Sequence, residues 1–229
     1  MRKVYSLDQN IFGFPDPNHA ERDGLIAFGG DLSPERLLAA YSQGIFPWYS
    51  SGEPILWWSP DPRLILYPHK FHISKSLTKT IRKNNYQVTM DQAFDLVVSE
   101  CANVRKDRGS ETWITDEMMK AYHKLFEMGF AHSVETWMDN RLAGGLYGVS
   151  LGRMFFGESM FYRKANGSKI ALVALVAFAR AYEFDLIDCQ MDTSHLRSLG
   201  AENIPRRDFL QLLEKTLKQD HLQGRWSFE

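Results

Sequence analysis

An α+β fold is predicted, on three observations. Helix-period segments open the body of the chain, and three alternating segments follow as an antiparallel meander. A helix apolar on nearly all sides then precedes a short strand, the arrangement of helices packed on a sheet. The first 62 residues differ in being loop-rich. Ser59-Pro60-Asp61-Pro62 reads as a stiff junction, where a small amino-terminal domain (1–62) ends and a larger one (63–229) begins.

The elements follow in order. Turn signals stand at Phe14-Pro15-Asp16-Pro17 and Phe28-Gly29-Gly30-Asp31. One helix is clear beyond them: Ser33 caps it, Pro34 takes the first position, Glu35 suits the positive end and Gly44 stops it. Leu37, Leu38 and Tyr41 share its apolar face. Pro47 keeps Gly44-Ile45-Phe46-Pro47-Trp48-Tyr49 out of a helix, so an extended loop displaying aromatic rings is expected there. Past the junction, helices are expected over 74–83, 90–101 and 116–128, the last capped by Thr115 and stopped by Gly129. The alternating segments cover 131–137, 142–150 and 153–161, with Asn140 and Gly152 at their turns. The buried helix spans 168–182, the strand 186–190, and two helices follow around His195 and Phe209.

That order resembles the GNAT acyltransferase fold, in which two strands splay apart and an acyl donor binds in the gap. Acyl-CoA-dependent members carry an Arg/Gln-x-x-Gly-x-Gly/Ala loop whose amides hold pyrophosphate at a helix start. Here Arg163-Lys164-Ala165-Asn166-Gly167-Ser168 stands in that place with one glycine and the wrong spacing. Coenzyme A is not the expected donor.

Composition narrows the class further. The 229 residues, 44% of them hydrophobic, suffice for a core without staples. Two cysteines, Cys101 and Cys189, make no disulfide framework and match no zinc spacing, so a reducing compartment is expected. The opening MRKVYSLDQNIFGFPDP has no apolar core for a signal peptide. The longest apolar run, 170–179, is about half of the ~20 residues that span a bilayer, and a cytoplasmic protein without membrane contact is expected. Twenty-seven Lys plus Arg against 28 Asp plus Glu give a formal charge of −1, so any RNA contact must come from a local patch. His69, His72, His123, His132 and His195 show no metal-ligand spacing, and no metal is expected.

Five constellations carry chemistry. On the strand Leu186-Ile187-Asp188-Cys189-Gln190, alternation puts Asp188 and Gln190 on one face, as a reactive pair or a satisfied structural one. Glu158 lies within the aromatic run Phe155-Phe156-Gly157-Glu158-Ser159-Met160-Phe161; it either faces water at a strand edge, or is buried and must be paired, proton-bearing or met by a cation. Gly157 would let a ligand approach the backbone. Trp48 and Trp113 come from separate loops, fit to stack a base or to fill an interface; Trp48, Trp57 and Trp58 crowd more than routine core packing asks. Tyr41 and Tyr122, on nearby helices, either offer hydroxyls to a ligand or are core residues with a wet tip. Lys75, Lys79, Arg82 and Lys83 line one helical face, as a phosphate contact or a solvated surface.

These residues resemble a known family over nearly the whole chain. Gly29-Gly30-Asp31-Leu32-Ser33, Gly44-Ile45-Phe46-Pro47-Trp48 and Ile55-Leu56-Trp57-Trp58-Ser59-Pro60-Asp61-Pro62-Arg63 are similar to the amino-terminal signature of bacterial leucyl/phenylalanyl-tRNA–protein transferases. Thr112-Trp113-Ile114-Thr115, Ala121-Tyr122-His123, Gly144-Gly145-Leu146-Tyr147-Gly148, Gly157-Glu158-Ser159-Met160-Phe161, Asp188-Cys189-Gln190 and Ser198-Leu199-Gly200 extend the match. The resemblance implies a GNAT-like carboxy-terminal domain working without metal, coenzyme A or other cofactor. It implies transfer of Leu, Phe or less readily Met from aminoacyl-tRNA to proteins beginning with Arg or Lys, which then enter N-end-rule degradation. Trp48 and Trp113 are implied to flank the terminal adenine with Tyr41 and Tyr122 nearby, and Lys75, Lys79, Arg82 and Lys83 to meet the acceptor arm. Asp188 and Gln190 match the proposed catalytic pair, with Asp188 orienting Gln190 and Glu158 holding a cationic amino group. Gly157 and Ser159 belong with the substrate site. The donor pocket departs from the familiar pattern, with Leu146 for a methionine and Leu175 for a phenylalanine, while Phe155 is retained. A monomer is the expected state. Two rivals remain in view: an acyl-CoA-dependent N-acetyltransferase of the same fold, and a non-catalytic RNA-binding adaptor.

Overall fold

The computed structural model describes residues 4–8, 13–107 and 112–228. The opening stretch read for a leader lies partly outside them, at residues 1–3 and 9–12. The chain forms β1 (Tyr5–Leu7), β2 (Leu25–Gly29), α1 (Pro34–Tyr41), β3 (Phe46–Pro47) and β4 (Leu56–Trp58). It continues through β5 (Arg63–Leu66), α2 (Lys75–Lys83), β6 (Gln87–Met90), α3 (Phe94–Asp107) and α4 (Asp116–Glu127). The meander is β7 (Ala131–Met138), β8 (Arg141–Leu151) and β9 (Met154–Tyr162). Then come α5 (Gly167–Ala181), β10 (Leu186–Gln190), α6 (Ser194–Ser198), β11 (Glu202–Ile204) and α7 (Arg206–Thr216).

Two sheets result. The first has the order β1-β2-β4-β3, the second β11-β5-β10-β9-β8-β7-β6. Within the second, β10 runs parallel to β9 and the other pairings are antiparallel. The fold is α+β and GNAT-like in its order of meander, buried helix and parallel strand. β10 pairs with β9 at Leu186↔Met154, Ile187↔Phe155 and Asp188↔Phe156 alone, while β9 continues to Tyr162 against β8. Beyond Asp188 the two strands part.

Each face of the large sheet buries its own apolar set. Beneath α5, Leu64, Leu66, Val134, Leu146, Phe155, Leu172 and Leu175 pack together. On the other face α3, α4, α7 and the small sheet share one core, with Tyr41, Trp57, Phe94, Tyr122, Tyr147, Phe156 and Phe209 in it. Helix α1 forms where its caps predict: Ser33 Oγ accepts from the Arg36 amide and Pro34 opens the first turn. Gly44 then turns the chain with φ +70°, a backbone that favours glycine, and a Cβ there would lie 2.8 Å from the Phe209 ring. This close seat locks the turn after α1 onto α7.

Several elements differ from expectation. The helix expected from residue 90 starts at Phe94, because Gln87–Met90 joins the sheet as edge strand β6 against β7 and Asp91 turns with φ +56°. The loop-rich opening contains a four-stranded sheet built from strands of two to five residues. Strand β5 pairs with β10 on the side away from β9 and β11 pairs with β5 beyond it, where sequence patterning gave no strand.

Candidate active site

Glu158 is the centre of a buried polar cluster. Tyr147 pairs with Ser159 and Gly148 with Gly157, so Glu158 is the extra residue of a bulge in β9. The bulge turns its carboxyl toward α1 and α4, at the level where β10 leaves. Glu158 Oε1 lies 2.8 Å from the Tyr41 hydroxyl and 2.6 Å from Gln190 Nε2. Oε2 lies 2.8 Å from the Tyr122 hydroxyl, and the two phenol oxygens are 2.6 Å apart. Glu158 is 7% exposed and both tyrosines are fully buried. Burial pushes the Glu158 carboxyl up to about 7, outweighing the hydrogen bonds from Tyr122, Tyr41 and Gln190, which favour its charged form. Both phenols lie well above their ordinary range, first through burial and then through the neighbouring Glu158 charge. The strand-edge, water-facing alternative for Glu158 is thereby excluded.

Asp188 has a different partner. Arg63 Nε donates to its Oδ1 at 2.8 Å and Nη2 to its Oδ2 at 2.7 Å, a bidentate fork between two buried side chains. The guanidinium sits over the rings of Phe46 and Phe209, 4.9 and 4.6 Å from their centroids. Asp188 Oδ1 also accepts from the Gln190 amide at 2.9 Å. Gln190 has φ +61°, an uncommon backbone for a residue with a side chain, and the β5 register shifts between Asp188 and Gln190. Asp188 and Gln190 do share a face, but their side chains do not bond each other: the carboxylate fixes the Gln190 backbone, and the irregular strand end carries the Gln190 side chain across to Glu158. Gln190 Oε1 has no donor among the described residues.

The sequence model of the family described as leucyl/phenylalanyl-tRNA protein transferase matches residues 65–214, and that of its N-terminal domain residues 30–61. The chain belongs to this transferase family. It is 62% identical over 226 residues to the leucyl/phenylalanyl-tRNA–protein transferase of Desulfatibacillum aliphaticivorans, covering 99% of this chain and 97% of the relative. To that of Legionella pneumophila (strain Corby) it is 53% identical over 224 residues, covering 98% and 100%. Among solved structures it is similar to an aminoglycoside acetyltransferase from an uncultured soil metagenomic sample, 12% identical over 64% of this chain and 99% of that one, with TM-score 0.39. A likeness that loose carries no argument about substrate.

The other predicted site residues of this transferase are spread over several elements. Trp48 is 40% exposed, and its ring neighbour is Trp58, with centroids 5.7 Å apart. Trp113 is half-buried against the shared core. Their loops meet, since the Tyr49 hydroxyl lies 3.3 Å from Thr115 Oγ1. Trp57 is fully buried core, with Nε1 donating to the Gly29 carbonyl, so it does not belong to an exposed cluster. Tyr41 and Tyr122 are not wet-tipped: their hydroxyls are spent on Glu158 and on each other. Leu146, Phe155 and Leu175 come together beneath α5, on the sheet face opposite Glu158. Ser159 Oγ is buried without a partner. A Cβ on Gly157 would meet only the Asp188 carbonyl, at 3.5 Å, so space adjoins that backbone. Lys75, Lys79, Arg82 and Lys83 are exposed on α2 and make no ion pair among the described residues.

Arg63 is the residue that sequence reasoning missed as part of the site. It stands at the end of the Ile55–Arg63 signature, and an arginine opening the apolar run Leu64-Ile65-Leu66 was the available signal, because a buried guanidinium must find an acid or a set of carbonyls. Which acid it would find, 125 residues away, has no local trace.

Proposed function

We propose that this protein transfers Leu, Phe and less readily Met from charged tRNA to the amino terminus of proteins beginning with Arg or Lys, marking them for N-end-rule degradation. The observation that carries this reading is the buried Glu158, held by Tyr41, Tyr122 and Gln190 where β9 and β10 part, next to the Arg63–Asp188 pair. An ester becomes an amide, so the reaction runs downhill and the enzyme's task is to align an amine with a carbonyl. Gln190 Oε1 is the acceptor for an N–H of the attacking amine. Asp188 acts as a positioning residue: Arg63 occupies its carboxylate, and it fixes Gln190 through the main chain. Glu158, with neutral partners only, takes a cationic amino group of donor or acceptor.

The donor side chain enters beneath α5 against Leu146, Phe155 and Leu175. Shape selection there contributes about 1–3 kcal/mol per methylene. Trp48 and Trp113 hold the terminal adenine, each stack contributing about 1–3 kcal/mol. Gly157 leaves room for the ester, and Ser159 offers its unpartnered hydroxyl nearby. Lys75, Lys79, Arg82 and Lys83 bind the tRNA backbone. Residues 1–62 lend aromatic side chains such as Trp48 to the site of the tRNA 3′ end and 63–229 carry the reaction, in a cytoplasmic monomer without metal or cofactor. Among the described residues no helix is long and apolar enough to cross a membrane.

Labelled Leu-tRNA incubated with a peptide beginning with Arg tests the reading. Acid-stable label on the peptide is expected. Label that stays on tRNA or appears only as free leucine contradicts it.

A further inference from the structure

Glu158, Tyr41 and Tyr122 are joined by three oxygen–oxygen contacts: 2.8 Å from Tyr41 to Oε1, 2.8 Å from Tyr122 to Oε2, and 2.6 Å between the phenols. Each contact needs a proton, because two lone pairs facing at that distance repel. The phenols supply two. If Glu158 were a carboxylate, both would point at it and the shortest contact would hold none. The third proton can only be a carboxylic acid's. Oε1 already accepts from Gln190 Nε2 at 2.6 Å, which leaves the acid proton on Oε2. The ring then closes: Oε2–H donates to Tyr122, Tyr122 to Tyr41, and Tyr41 back to Oε1.

We propose that Glu158 holds this third proton in the free protein, and that the ammonium group of a bound substrate displaces it. The second half rests on the reading above, that a cationic amino group comes to Glu158. The exchange balances without electron transfer: the acid releases one proton to solvent, and the resulting carboxylate accepts from the ammonium. Both phenols then donate to the carboxylate, and the phenol–phenol contact opens.

The groups facing Glu158 agree. They are Tyr41 from α1, Tyr122 from α4, and Asp188 and Gln190 from β10, with Tyr147 of β8 beside the two phenols. Among the described buried side chains of α3, Cys101 is the titratable one. No cation pairs with Glu158 among the described residues, and Arg63 is committed to Asp188. Burial, and to a smaller extent the Asp188 charge, push the Glu158 carboxyl up to about 7.

Carboxyl ¹³C resonances of glutamate-labelled protein test the first half, with Glu158 assigned by the signal lost in Glu158→Gln. A midpoint near 7 is expected, and one near the ordinary ~4.3 of glutamate overturns the ring. Calorimetry tests the second half, with a non-reactive aminoacyl-adenosine amide titrated near pH 6 in two buffers of different ionisation enthalpy. About one proton released per ligand is expected, and none for the analogue with a hydroxyl in place of the amine. Binding that releases no proton overturns the exchange. Failure of the analogue to bind overturns the functional reading and the exchange with it, while the glutamate midpoint still decides the ring.

Discussion

Asp188 and Glu158 are both buried carboxyl groups where β9 and β10 part, one on each strand, yet their surroundings are opposite. Asp188 meets a full countercharge in a two-bond fork, with that guanidinium laid over two aromatic rings. Glu158 meets two phenols and an amide, and no cation among the described residues. A carboxylate already matched by a guanidinium has little left with which to recruit another cation. One surrounded by neutral donors gains from accepting an ammonium, and until it does a proton is the smaller cation that fits. On the proposed reading the labour is divided: Asp188 holds the strand end in shape, and Glu158 receives.

The largest expected effect breaks the Asp188 side. Arg63→Met leaves a buried carboxylate unpaired, and we expect a loss of about 3–5 kcal/mol in urea unfolding. A loss below about 1 kcal/mol would mean that the pair is not buried as described. Next comes the Glu158 side, where the sign follows from its folded pKa of about 7, above the unfolded value of about 4.5. The folded state keeps a proton that the unfolded chain has given up, so this contribution is full below about pH 4.5 and is lost as pH rises toward 7. The shift corresponds to roughly 3 kcal/mol. Comparing the pH dependence of unfolding in wild type and Glu158→Gln checks it: the fall in stability that Glu158 adds over that window should be missing from the variant, while the contributions of His195 and His221, both lowered by burial, stay in both proteins.

Smaller effects sharpen the division. Asp188→Ala strands the Arg63 guanidinium as Arg63→Met strands the carboxylate, so it is read per folded molecule: turnover should fall about a hundredfold with tRNA affinity unchanged, because Gln190 loses the acceptor that fixes its backbone. Wild-type turnover in that variant would remove Asp188 from the reaction. Gly157→Ala should shift unfolding by less than about 1 kcal/mol, since its Cβ meets nothing closer than the Asp188 carbonyl, while the rise in KM reports ligand approach. Smallest of all, replacing one of Lys75, Lys79, Arg82 or Lys83 by Ala should reduce the salt slope of tRNA binding by about 0.7–0.9.

Local signals made much of this molecule legible. Ser33 and Thr115 cap α1 and α4, Asn140 and Gly152 turn the meander, and α5 shows its burial by being apolar almost all round. The strands that sequence missed lack such marks. β1 to β4 are two to five residues long and pair with distant segments, as Leu25–Gly29 does with Leu56–Trp58. β5 is buried on both faces, so no alternation betrays it. The site divides the same way. Asp188, Gln190 and Glu158 stand out as polar residues in apolar strands, but which acid pairs with a guanidinium and which with phenols is a matter of tertiary approach. Tyr41 and Tyr122 meet only because α1 and α4 pack, and the bulge at Glu158 exists only in the register of β9 against β8.

The central claim is that the opening between β9 and β10 takes the esterified end of a charged tRNA. A crystal structure with a non-hydrolysable leucyl-adenosine analogue tests it most directly. The α-ammonium should lie within about 3.2 Å of a Glu158 oxygen, with the phenol oxygens drawn apart. The leucyl side chain should reach Leu146, Phe155 and Leu175, with the adenine between Trp48 and Trp113. A ligand seated elsewhere, with the Glu158–Tyr41–Tyr122 ring intact and the strands closed over packed side chains, would contradict it.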